Sequence, residues 1–94
     1  MKVINAIHIN DTDNCVTLAG SADAGDAIRF LEDGVEKTIT ARERIPIWHK
    51  MAVKPIEKRN GVYKYGAVIG IALDDIDIGD HVHVHNICSP GTGG

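Results

Sequence analysis

Aromatic residues are scarce in this chain: one Trp, one Phe and two Tyr stand among 94 residues. Aliphatic side chains must therefore pack the core, and the platforms on which single-stranded nucleic acid stacks are missing. A cationic patch is also lacking. Only Lys54 to Arg59 is mildly basic, Glu57 interrupts it, and the net charge is −3 with histidines neutral. Phosphate backbones are held by clustered Lys and Arg, so nucleic acid is excluded as the main partner. No apolar run approaches a membrane span, and Met1 to Asn5 opens no apolar leader, so a membrane is excluded and a cytoplasmic location is expected. Two cysteines, Cys15 and Cys88, make neither a disulfide framework nor a CxxC motif; both are expected to be small, partly buried, reduced residues.

Helical periodicity is missing too. Nowhere do apolar residues hold a 3.6-residue spacing for three turns, while turn signals recur about every eight to twelve residues. Short strands are the expectation. Val3 to Ile9 and Val16 to Leu18 read as strands around a polar turn at Asn10 to Asn14. Asp33-Gly34, between Ala27–Glu32 and Val35–Ala41, predicts a two-residue type I′ hairpin. Asn60-Gly61 predicts a second, joining Met51–Ile56 to Val62–Tyr65. The apolar run Ala67 to Leu73 is expected to be a strand buried on both faces, with Gly70 marking a bend or a close backbone approach. Ser89 to Gly94 is expected to be a tail, leaving residues 1–88 as a single domain.

A weak internal repeat organises these pieces. Ala22-Asp23-Ala24-Gly25-Asp26-Ala27-Ile28 matches Ile76-Asp77-Ile78-Gly79-Asp80-His81-Val82, and Ile45-Pro46-Ile47-Trp48-His49-Lys50-Met51 is a degenerate copy. Each has an aliphatic anchor, two further residues, a turn residue and then a strand. Trp48 takes the place where the pattern wants glycine, so that turn is expected to be strained or rearranged. Repeated turn-and-strand units with almost no helix describe a curled all-β domain.

His81-Val82-His83-Val84-His85-Asn86 carries three of the five histidines at a spacing of two. On an extended strand these imidazoles share one face, neighbours about 6.5–7 Å apart along the backbone. A row of this kind can share a metal ion or a bound acid. It can also bind zinc or nickel adventitiously, or be no more than a hydrogen-bonded edge strand. Asp74, Asp75, Asp77 and Asp80 do not have EF-hand spacing and are expected to form turns.

Three ordered blocks, Ile45-Pro46-Ile47-Trp48-His49-Lys50-Met51-Ala52, Val62 to Ala72 with Lys64-Tyr65-Gly66, and Asp75 to Asn86 ending His83-Val84-His85-Asn86, resemble the SAF domain of the altronate and galactarate dehydratases. The same domain forms the small subunit of sulfolactate sulfo-lyase. The likeness spans about Ala41 to Asn86 and departs from the family pattern at Trp48. It implies a β-clip fold of short, strongly bent strands and a lyase that removes water, or sulfite, from sugar acids or sulfonated hydroxy acids. It further implies a divalent metal, iron(II) or manganese(II), and a larger dehydratase-like catalytic subunit as partner; self-association stays open.

Matched residue by residue, the resemblance nominates His49, Lys50, His83 and His85 as catalytic, Lys64 and Asn86 as substrate-binding, and His81, His83 and His85 as metal ligands, with His81 added by spacing alone. β-Elimination needs a base, a cation for the developing enediolate and an acid for the leaving group, and these residue types supply all three. For Lys64 and Tyr65 a structural alternative stands beside this: an exposed charge next to a ring packed under Gly66. A non-catalytic binding or assembly module remains the competing class, since fold alone does not fix function.

Overall fold

The computed structural model describes residues 1–89; Pro90 to Gly94, within the expected tail, lie outside the described residues. Among the described residues nine short strands follow one another: β1 (Val3–Ile7), β2 (Cys15–Leu18), β3 (Ala27–Glu32), β4 (Val35–Thr40), β5 (Lys50–Ala52), β6 (Gly61–Lys64), β7 (Ala67–Ala72), β8 (His81–Val82) and β9 (Ile87–Cys88). They form one sheet in the order β4-β3-β1-β2-β5-β8 and a second in the order β6-β7-β9. There is no helix among the described residues, and none long and apolar enough to cross a membrane. The all-β expectation holds.

The turn repeat is more regular than the sequence shows, because it has four copies. Turns Asp23–Asp26, Pro46–His49, Glu57–Asn60 and Asp77–Asp80 are each closed by a hydrogen bond from the fourth N–H to the first carbonyl, at 3.0–3.1 Å. The third residue has positive φ in every one: Gly25 (94°), Trp48 (67°), Arg59 (77°) and Gly79 (92°). This is the type II turn. Each turn also locks onto one residue in, or just beyond, a strand through two backbone bonds. Gly25 and Asp26 bracket Ala41, Trp48 and His49 bracket Leu18, Arg59 and Asn60 bracket Ala72, and Gly79 and Asp80 bracket Ala52.

The residues ahead of the turns pair as isolated bridges, Ala22 with Ile45 and Ile56 with Ile76. Each pair anchors one of two hydrophobic clusters. Val16, Leu18, Ile28, Phe30 and Met51 surround the first pair; Cys15, Ala52, Val62, Ala72 and Val82 surround the second. Strands β5 and β8 pair where the clusters meet, with Met51 on one side and Val82 on the other.

Several local expectations hold. Asp33 (φ 52°) and Gly34 (φ 77°) make the I′ turn of the β3–β4 hairpin, and Trp48 keeps the glycine-like backbone. A Cβ on Gly70 would sit 3.1 Å from the Cys88 carbonyl oxygen, which is the close approach anticipated there. Both cysteines are free, Cys15 buried and Cys88 partly so.

Three expectations fail. Asn60-Gly61 does not turn a hairpin: Asn60 closes the third repeat turn, and Gly61 opens β6. The second I′ hairpin lies at Tyr65-Gly66 (φ 56° and 73°), joining β6 to β7. β7 is not buried on both faces; Ala67 and Val68 are exposed, and burial becomes complete only at Gly70 and Ala72. His81 to Asn86 is not one strand, because β8 ends at Val82. The chain must then leave the first sheet to reach β9 in the second, and a turn at residues 83–86 makes that crossing.

Candidate functional site: an imidazole cluster at the β5–β8 seam

The broken strand brings the histidines closer than an extended one would. Asn86 Oδ1 accepts the N–H of His83 (2.9 Å), while the N–H groups of Asn86 and Ile87 donate to the His83 carbonyl. Local side-chain bonds of this kind compete with the extended ladder, and here they win. The ring centroids of His81 and His83 end 5.5 Å apart and nearly parallel, and His85 folds back to 5.1 Å from His81.

A fourth ring arrives from the second repeat turn. In turns one and four the closing residue is an aspartate, Asp26 or Asp80, whose carboxylate accepts the N–H of the opening residue. The second turn opens with Pro46, which has no N–H to offer. Its closing residue, His49, points its ring at the other histidines: 4.2 Å from His83, 5.1 Å from His81, with Nδ1 of His49 2.9 Å from Nε2 of His81. One of those two nitrogens must donate and the other accept. His49, His81 and His83 each bring a ligand nitrogen to within 4.8 Å of the other two. His85 stands at the outer side, against His81.

The cluster is a surface feature. His49 and His81 are half-buried, and His83 and His85 are exposed. Desolvation is the largest influence on both His81 and His83 and pushes their pKa values below 6.5, with the neighbouring imidazoles adding repulsion. Both are thus neutral at neutral pH, the form in which imidazole binds a metal. Nitrogens about 2.1 Å from one ion lie roughly 3–3.5 Å from each other, so the trio would have to draw closer to share one ion. The donor set fits a first-row divalent ion.

Other nominated residues fall into two groups. Lys50, at the start of β5, lies close enough to His83 to depress its basicity, and among the described residues no acid pairs with it. Lys64 is elsewhere. Its side chain is buried, not exposed, with Nζ 3.4 Å from the Ile7 carbonyl and 4.4 Å from the centroid of the Tyr65 ring, while Tyr65 itself is 67% exposed and is not packed under Gly66. The I′ turn at Tyr65-Gly66 reverses the expected burial of the two side chains. Burial, outweighing the nearby Cys15 and Asp13, lowers the Lys64 pKa.

Asn86 spends its side chain on the backbone, giving Nδ2 to the His81 carbonyl (2.7 Å) and Oδ1 to His83. Glu43, which the sequence did not single out, accepts the His81 N–H through Oε2 at 3.2 Å. No spacing signal ties Glu43 to residues nearly forty positions away.

Comparison with known proteins bears on what such a cluster is for. The chain is 43% identical over 65 residues to altronate dehydratase of Escherichia coli, covering 64% of this chain and 13% of that enzyme. It is 41% identical over 54 residues to (2R)-sulfolactate sulfo-lyase subunit alpha of Paracoccus pantotrophus, covering 57% and 81%. Against the same subunit of Chromohalobacter salexigens it is 29% identical over 89 residues, covering 93% and 95%. The chain thus spans only a small part of altronate dehydratase and most of the sulfo-lyase subunit. The family model of the altronate/galactarate dehydratase SAF domain matches residues 4–90, so the chain belongs to that family.

Proposed function

We propose that this domain is one component of a lyase acting on sugar acids, lending its imidazole cluster to a composite site that a larger dehydratase-like polypeptide completes. The observation that carries this reading is the convergence of His49, from one turn, with His81, His83 and His85, from another segment. A purely structural edge has no reason to gather rings that repel one another when protonated.

In this reading His49, His81 and His83 hold a divalent ion, iron(II) or manganese(II) by family likeness, which supplies Lewis-acid stabilisation of an enediolate when bound. Lys50 anchors the substrate carboxylate as an unpaired cation beside the cluster. His85, outside the trio but against His81, is free to exchange a proton with the departing hydroxyl. Lys64 is too enclosed to meet substrate and is assigned a structural role. The partner supplies the remaining groups, so the chain alone binds metal but does not turn over. The two free thiols fit a reducing cytoplasm.

A second reading has its own support. The likeness to sulfo-lyase subunit alpha of Chromohalobacter covers 95% of that subunit, which favours sulfite as the leaving group. The histidine roles are the same in both.

The test uses the domain assembled with its larger subunit, with altronate and (2R)-sulfolactate as substrates. His83→Ala and His85→Ala are expected to lower elimination at least 100-fold while assembly persists. Unchanged turnover in both variants would leave the cluster without a catalytic part.

A further inference from the structure

Both backbone groups of His81 are held by side chains, one from the distant residue Glu43 and one from Asn86 in the turn that follows β8. Its N–H donates to Glu43 Oε2 and its carbonyl accepts from Asn86 Nδ2, while Asn86 Oδ1 takes the N–H of His83. This matters because β8 has only two residues and lies at the edge of its sheet. An edge strand that short has little else to fix its φ and ψ. Glu43 is itself secured. The N–H of Arg42 donates to the Gly79 carbonyl (3.0 Å), and its guanidinium reaches Asp77 (2.8 Å) and Asp80 (3.1 Å). A Cβ on Gly79 would sit 2.6 Å from the Thr40 carbonyl oxygen, so this segment lies directly on the turn that delivers His81.

We propose that Glu43 and Asn86 are positioning residues for the imidazole trio. They clamp the backbone of His81 and His83 so that the ring nitrogens meet that of His49, and Asn86 acts through the histidines and not on substrate. Its amide oxygen and one amide hydrogen are already committed inside the turn, leaving a single N–H to offer elsewhere. The proposal rests on the trio as the metal-holding group, and it assigns Glu43 a part in that site. Groups that orient metal ligands typically change affinity 10–100-fold when removed.

Two measurements on the purified chain test it. The first is cobalt(II) titration by calorimetry and visible absorption. Asn86→Ala and Glu43→Ala are expected to weaken binding 10–100-fold and alter the absorption band. Glu43→Gln, which retains an acceptor for the His81 N–H, is expected to stay within roughly threefold of wild type, well inside that range. Asn86→Asp, which retains Oδ1 but loses the donor, should fall between. The second measurement needs no metal: imidazole ¹⁵N spectra of the same variants. The signature of the His49–His81 ring contact should be lost in both alanine variants. His8, whose ring bonds to the Asp13 carbonyl far from the turn, should be unchanged and so report intact folding.

Wild-type affinity, band shape and ring spectra in both alanine variants would overturn the proposal. If wild type binds no cobalt(II), the metal reading of the trio fails, and the ring spectra still decide whether Glu43 and Asn86 set its geometry.

Discussion

Two groups of titratable side chains lie in this small domain, and they are built on opposite terms. Around Asp13 every polar demand is met. The carboxylate is fully buried and accepts the N–H groups of Asn10 (3.2 Å), Tyr65 (3.0 Å) and Gly66 (2.9 Å). Desolvation raises its pKa, but those three bonds and the nearby Lys64 outweigh it, and the net shift is downward. Cys15 beside them is pushed up to about 11, chiefly by burial. Around His81 the demands are left open: four rings face one another, with one ring-to-ring hydrogen bond and a half-exposed setting. A saturated polar node holds structure together; an unsaturated one at the surface is available to a ligand.

The sharpest way to break this contrast is to delete one member from each group. Asp13→Ala strands three buried or part-buried N–H groups and leaves Lys64 without its nearest acid. A loss of about 3 kcal/mol or more is expected in denaturant unfolding. His83→Ala should change the stability of the metal-free chain by less than about 1 kcal/mol, as for other surface substitutions. Equal losses in the two variants would erase the distinction.

Ligand addition probes it from the other direction. Cobalt(II) at 100 times its Kd is expected to stabilise the wild-type chain by about 2.7 kcal/mol, read as a rise in Tm. His81→Ala should abolish the rise and Asp13→Asn should preserve it.

A smaller effect is expected at the turn that presents His49. Trp48 holds φ at 67°, and the residue is 61% exposed. A side chain in that region costs about 1–2 kcal/mol, part of which glycine gives back through its unfolded-state entropy. Trp48→Gly should therefore stabilise the chain by about 1 kcal/mol in thermal or denaturant unfolding. A loss of stability would show that the indole makes contacts which offset its backbone strain.

The smallest effects are in pH. His81 and His83 have folded pKa values below 6.5, so the unfolded chain takes up protons first, and metal-free stability should decline as pH falls below 6.5 toward those values. Asp13 acts in a separate window. Its folded pKa lies below 3.8, so its contribution is present above 3.8 and is lost as pH falls through the folded value. A pH series of denaturant midpoints on wild type and His81→Ala/His83→Ala checks the first decline, which the double variant should lack.

Much of the local architecture was legible because its cause is local. Asp33-Gly34 specifies its hairpin by backbone preference alone, and the Ala22 and Ile76 repeats carry glycine where φ is positive. The Glu57–Asn60 repeat was hidden because Arg59 occupies that position, and arginine gives no sign of a left-handed backbone. Asn60-Gly61 then mimicked a hairpin that in fact lies at Tyr65-Gly66.

For the site, the residue types and the nomination of His49, Lys50 and His81 to Asn86 came from sequence and family likeness. Their arrangement did not, since a period of two requires a strand, and the chain had to change sheets after Val82. By itself the sequence determined a helix-free, turn-punctuated chain with histidines concentrated near its end, because turn chemistry and residue periodicity act over a few neighbours. Only the tertiary structure decided that Lys64 is enclosed, that Asn86 and Glu43 grip His81, and that His49 joins the other rings. Those outcomes depend on which distant segments meet, and sheet pairing across tens of residues is fixed by the packing of the whole domain.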